Sequence, residues 1–223
     1  MQCLIGRPGL LIKNFSMTIR AVCFDLDGVY FTPQGKESFH QALSQEFGAD
    51  PEAVDQFMYR SETMGLLVRG ELTNEEFCNR LREELNIDVS DTDIINRWIQ
   101  DYEIDQQVRE VVQTVKQHGY QTCVCTNNNG LRLSALEEKF DFCKDFDVVV
   151  SSHWVGHCKP SQEIYQALLE RLQVAPEELL YSDDNPDRLD GARELGIECF
   201  VYENLEQCIR ELHNRGIDIG VPQ

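Results

Sequence analysis

Ala21-Val-Cys-Phe-Asp25-Leu-Asp27-Gly28 is a short apolar run that stops abruptly at two carboxylates and a glycine, and the chain repeats this form three more times. Gln121-Thr-Cys-Val-Cys-Thr126 ends in Asn127, Asp147-Val-Val-Val-Ser151 leads to Lys159-Pro160, and Leu179-Leu-Tyr-Ser182 ends in Asp183-Asp184. Such runs, rich in β-branched and aromatic residues, read as buried strands. Amphipathic helical patterns separate them: Val111 to His118, Leu131 to Phe140, and a face made by Ile164, Tyr165, Leu168, Leu169 and Leu172. Strand alternating with helix predicts an α/β fold, a doubly wound parallel sheet, with Glu198 to Tyr202 as a last strand. A sheet of this kind collects ligands at the carboxyl ends of its strands, where the polar groups fall.

Residues 32–106, between the first and second strands, are far too many for an ordinary connection. Thr73 and Glu76 form a capping box that opens a helix with Phe77, Leu81 and Leu85 on one face. Asp50-Pro51 and Asn86 to Asp91 read as turns. The expectation is an inserted α-helical cap domain over 32–106, with 17–31 and 107–223 forming the core domain. Met1 to Arg20 has no acidic residue and carries Arg7, Lys13 and Arg20 around a broken apolar stretch, too interrupted for a membrane span or a secretory signal. Residues 1–16 are therefore expected to be an N-terminal extension, with Met17 as the natural start and a targeting peptide as the competing reading.

The chain has 20 basic and 39 acidic residues, a formal charge of −19. That surface repels nucleic acid and anionic membranes, so neither is an expected partner. Nine cysteines lie scattered without C-x-x-C spacing, which fits reduced thiols in a cytoplasmic protein, with Cys123 and Cys125 as packing residues.

The strand ends carry the chemistry. Asp25 and Asp27 repel each other if they share a pocket, and a hard divalent cation with oxygen ligands, magnesium first, offsets that repulsion. Thr126 and Asn127 precede a helix start, where hydroxyl, amide and free backbone N–H groups suit phosphate oxygens. Pro160 at the first helical position would place Lys159 at a helix start, a poor site for a cation unless it faces an anion. Asp183 and Asp184 end the fourth strand. Taken singly, each has a plain explanation as a turn or a cap. Four strand ends reading D-x-D, T-N, K-P and D-D in that order do not.

On these residues, with Glu163-Ile-Tyr165, Gly191-Ala192 and Leu195-Gly196, the chain after Met17 resembles the haloacid dehalogenase-like hydrolase superfamily, in its phosphatase branch with a helical cap. The resemblance implies Asp25 as nucleophile, taking the phosphoryl group as an aspartyl-phosphate, and Asp27 as general acid and base. It implies Thr126, Asn127 and Lys159 on the phosphoryl oxygens, and Mg²⁺ held by Asp25, the Asp27 carbonyl, Asp183 and Asp184. The dehalogenase branch lacks the second carboxylate, so Asp27 argues against it. The expected activity is Mg²⁺-dependent hydrolysis of a small phosphorylated metabolite. A sugar-phosphate mutase and a non-catalytic binding protein are the alternatives. Relatives place an Asp or Asn several residues beyond the last acidic pair; here Arg188 stands near that position, and Asp187 beside it is either a residue supporting the metal ligands or, the favoured reading, a helix-start charge. Substrate choice is expected from the cap, with Tyr59, Arg60 and Arg69 as the candidates.

Overall fold

The structure, a computed structural model, describes residues 18–32 and 34–220, so the expected extension over 1–16 lies outside the described residues. Strand β1 (Ala21–Phe24) is followed by five helices: α1 (Gln34–Gln45), α2 (Pro51–Asp55), α3 (Glu62–Val68), α4 (Asn74–Leu85) and α5 (Asp91–Ile99). The chain then alternates through α6 (Gln106–Gln117), β2 (Gln121–Thr126), α7 (Gly130–Phe140), β3 (Val148–Ser151), α8 (Ser152–Val155) and α9 (Gln162–Leu172). It closes with β4 (Leu179–Asp183), α10 (Asp190–Glu194), β5 (Glu198–Val201) and α11 (Leu205–Asn214).

The strands form one parallel sheet in the order β3-β2-β1-β4-β5, with Ala21 in register with Gln121 on one side and Leu179 on the other. β1 is central and wholly buried, which its unbroken apolar run requires. Its side chains divide by the two-residue period of a strand. Val22 and Phe24 face a core shared with Val108, Val112, Leu136 and Leu212, while Ala21 and Cys23 face one shared with Ile164, Tyr165 and Leu168. Cys123 and Cys125 lie on this second face, small enough to let α9 pack closely; the described cysteines are free thiols.

Helices α1 to α5 have a core of their own, which Leu131 of α7 joins. Phe39, Phe57, Phe77 and Trp98 lie in it with Leu81 and Leu85, and the Phe39 and Trp98 rings stack at 4.7 Å. The capping box at Thr73 forms as expected, and Asn86 ends α4 in the left-handed region at φ 50°. The chain enters and leaves this unit side by side: Thr32 N–H donates to Glu103 O and Asp105 N–H to Tyr30 O, both at 2.9 Å, around an antiparallel bridge of Phe31 with Ile104. Tyr30 is anchored in turn, its hydroxyl donating to buried Asp145 Oδ2 at 2.5 Å. Arg109 Nε lies 2.8 Å from the same carboxylate oxygen, and Gln113 donates to the other at 3.2 Å.

Candidate active site

Asp25 stands one residue past β1, and its N–H still pairs with Ser182 O at 2.9 Å. That extra rung sets its carboxyl beside the end of β4. The gap between β1 and β4 is where the winding of the sheet reverses, the usual crevice of such folds. Lys159 fills it from the third strand end. Its ammonium donates to Asp25 Oδ1 at 2.7 Å, Asp183 Oδ2 at 2.6 Å and Cys125 O at 2.8 Å. Three N–H donors meet three acceptors, so a side chain with 0% exposure is fully satisfied. Burial alone would lower the Lys159 pKa, but the two carboxylates outweigh it and hold the lysine charged.

The two carboxylates differ in support. Burial pushes Asp25 up to about 6 despite the lysine, and Asp183 adds to the rise. Asp183 is also desolvated, yet Lys159, the Tyr181 hydroxyl at 2.5 Å and the Asn185 N–H at 3.0 Å hold it below the ordinary range. Asp184, raised by partial burial and by Asp183, completes the group. One oxygen from each of Asp25, Asp183 and Asp184 lies within 4.8 Å of the other two, a donor set of hard oxygens that suits a magnesium ion. Gly28, at φ 90°, makes room for the Asp184 carboxylate, because a Cβ there would collide with Asp184 Oδ2.

Lys159 is placed by its backbone, not by a helix. Helix α9 begins at Gln162 with Ser161 as its cap, so Pro160 lies before the helix rather than at its first position. Asn127 holds this segment from both sides, accepting from Lys159 N–H at 2.7 Å and donating to Lys159 O at 3.0 Å. The Asn127 side chain, expected on phosphate, is thus committed to the lysine, although the residue lines the cavity with Thr126. Gly191 lets α10 touch the Pro160 carbonyl from behind.

A cavity of about 460 Å³ lies above these groups. The sheet side contributes Asp27, Thr126, Asp184 and Arg188; the helical side contributes Met58, Tyr59, Met64, Val68 and Trp98, with Tyr102 from the returning connection. Of the expected substrate contacts Tyr59 is present, its hydroxyl 2.5 Å from His40 Nδ1. Arg60 and Arg69 are not. The π-helical turn 56–60 that brings Tyr59 to the cavity carries Arg60 outward to Asp55 at 3.0 Å, and Arg69 at the end of α3 is taken by Glu71 at 2.5 Å. Asp187 is exposed in the turn after β4, outside the metal group.

Two arginines stand closer to the chemistry. Arg188 Nη1 lies 3.5 Å from Asp25 Oδ2, and Arg132 Nη2 lies 2.6 Å from Asp27 Oδ2, a carboxyl that is not part of the metal group. The sequence carried a sign of Arg132: a cation in the first turn of α7 opposes the helix dipole, the same argument that singled out Lys159.

Among proteins similar to this chain is bifunctional epoxide hydrolase 2 of Sus scrofa, 27% identical over 215 residues, which cover 88% of this chain and 38% of that protein. The chain thus spans well under half of that relative's length. D-ribitol-5-phosphate phosphatase of Bacteroides thetaiotaomicron is 24% identical over 204 residues, covering 87% of this chain and 93% of the relative. A solved structure of an enzyme from the same organism, in complex with magnesium and inorganic phosphate, superposes with a TM-score of 0.69 at 22% identity, covering 83% of this chain and 94% of that one. The likeness of fold joins a direct family match over residues 19–196, a span that contains all four strand-end motifs, and the chain belongs to the haloacid dehalogenase-like hydrolases.

Proposed function

We propose that this chain is a Mg²⁺-dependent phosphatase that hydrolyses a small phosphorylated metabolite through an aspartyl-phosphate on Asp25. The observation that carries the reading is the Lys159 ammonium, fully buried between Asp25 and Asp183 at 2.7 and 2.6 Å. A buried cation clamping two carboxylates beside a third is a costly arrangement for stability alone, and it suits a site that receives a phosphate dianion. The phosphatase name of one relative and the magnesium and phosphate in a similar structure support it.

In this reading Asp25, kept ionised by Lys159, attacks phosphorus with the oxygen that the lysine leaves available. Asp27 gives a proton to the departing alkoxide and later takes one from the attacking water, a role worth roughly 10² to 10⁴ in rate. Thr126 and the backbone N–H of Asn127 hold the transferring oxygens, while the Asn127 side chain keeps Lys159 in place, and Arg188 adds positive charge beside Asp25. Asp25, Asp183, Asp184 and the Asp27 carbonyl would hold the magnesium ion, which supplies charge neutralisation for the phosphoryl group. Helices α1 to α5 act as the cap, excluding water and reading the alcohol. The test is phosphate release from a panel of phosphorylated metabolites. It should require Mg²⁺, stop with chelator, and fall at least ~10³-fold in Asp25→Asn. Release that survives Asp25→Asn at the wild-type rate would refute the mechanism.

A further inference from the structure

Arg132 is a buried cation that the mechanism above leaves unused. It is the third residue of α7, and its side chain is 8% exposed. Its Nη2 donates to Asp27 Oδ2 at 2.6 Å and its Nε to Asn128 Oδ1 at 2.9 Å. Its guanidinium carbon sits 5.6 Å from the Trp98 ring centroid and 5.7 Å from that of Tyr102. Trp98 belongs to α5 and Tyr102 to the connection that returns from it, so one side chain joins the loop after β1 to the helical wall of the cavity. The other oxygen of Asp27, Oδ1, is buried and, like the Tyr102 hydroxyl that approaches the same carboxyl, has no well-formed hydrogen bond among the described residues. Arginine stays charged and offers only donors. A proton on Asp27 therefore has one place to sit while the pair is intact, and that place is Oδ1.

We propose that Arg132 is the positioning residue for Asp27: it occupies Oδ2, is itself fixed by Asn128 and the two rings, and so aims Oδ1 for proton transfer. The inference rests on the phosphatase reading. In the first step an Asp25 oxygen bonds to phosphorus, the ester P–O bond breaks, and the proton on Asp27 Oδ1 passes to the leaving oxygen, giving alcohol, aspartyl-phosphate and an Asp27 carboxylate. In the second, water attacks phosphorus, its proton returns to Oδ1, and inorganic phosphate leaves Asp25. Arg132 also lines the cavity, but its donors are taken by Asp27 and Asn128, so the role assigned to it is on Asp27 and not on the reacting atoms. It acts by orientation, where an error of about 1 Å costs on the order of 10²-fold in rate.

The experiment is first-turnover alcohol release by the full chain with Mg²⁺ from two monoesters: an alkyl phosphate, whose alkoxide needs a proton, and a nitrophenyl phosphate, whose leaving group does not. Arg132→Gln should slow the alkyl ester roughly 10- to 100-fold and the aryl ester less than about 3-fold, with KM for both nearly unchanged. Arg132→Lys, which keeps the charge and loses the fork, should fall between. Equal slowing of the two esters, or none on the alkyl ester, overturns the proposal. Should Arg132→Gln fail to fold, Asn128→Ala removes the acceptor of Nε and makes the same comparison. A wild-type chain that releases no alcohol from either ester, or an Asp25→Asn variant that still does, would instead bring down the phosphatase reading and this inference with it.

Discussion

Lys159 is the single side chain on which both the stability of the buried carboxylates and the proposed chemistry turn. Replacing it with methionine leaves Asp25 and Asp183, 1% and 0% exposed, as buried carboxylates without their counter-ion. Breaking such a group typically costs about 3 to 5 kcal/mol. Lys159→Met is accordingly expected to lose that much stability in urea unfolding without metal, to regain part of it with Mg²⁺, and to stay inactive. Asp145 gives a prediction in pH. Burial would raise its pKa, but hydrogen bonds from Tyr30, Gln113 and Arg109 win and hold it below its ordinary 3.8. A depressed carboxyl contributes stability that is present above the unfolded value and lost as pH falls through the folded one. Asp145→Asn should therefore be destabilised by about 2 kcal/mol near neutral pH, with the gap from wild type closing below about pH 4. Neither of these lysine or aspartate settings was equally legible beforehand. Lys159 announced itself by an awkward position in the sequence, whereas Asp145 sits in an unremarkable turn, and its partner Tyr30 is 115 residues away. Arg60 and Arg69 are a different case: the structure pairs them with their near neighbours Asp55 and Glu71, contacts within five residues that a reading for ligand groups passes over.

Elements were read well where the pattern was local. The alternation of apolar runs with helical faces gave the parallel sheet, because a buried strand and an amphipathic helix each show their period within ten residues or so. The start of α9 was misplaced, because a proline before a helix and one inside its first turn leave the same mark in a sequence. Besides the two hydrogen bonds of Asn127, α10 supports that stretch, its Gly191 resting on the Pro160 carbonyl. Gly191→Ala should push α10 and the 159–160 segment apart. Its expected signature is a loss of turnover of about tenfold or more with a stability loss of about 1 to 3 kcal/mol, measured by steady-state kinetics and thermal unfolding. Turnover unchanged in a folded Gly191→Ala protein would show that the lysine does not depend on this contact.

At the scale of the whole molecule, the cavity lies where two hydrophobic cores meet, one built on the sheet and one within the helices. Ion binding at Asp25, Asp183 and Asp184 should stabilise the folded chain by linkage, about 2.7 kcal/mol at a hundredfold excess over Kd. Calorimetry should show Tm rising with Mg²⁺ in the wild type and not in Asp184→Asn, the exposed member of the group and so the variant least harmful to folding. The organisation of the sheet was visible from the sequence, but which faces of α3 to α5 look into the cavity was not, since that depends on contacts between distant segments. The paired crossings at Tyr30–Thr32 and Glu103–Asp105 have one more consequence. Because the two ends of the helical excursion are held within hydrogen-bonding distance, the sheet experiences the excursion as a single closed loop. A different helical unit, spliced in between the same two crossings, would meet the same sheet and the same strand ends, so on the proposed function specificity should be exchangeable at this junction.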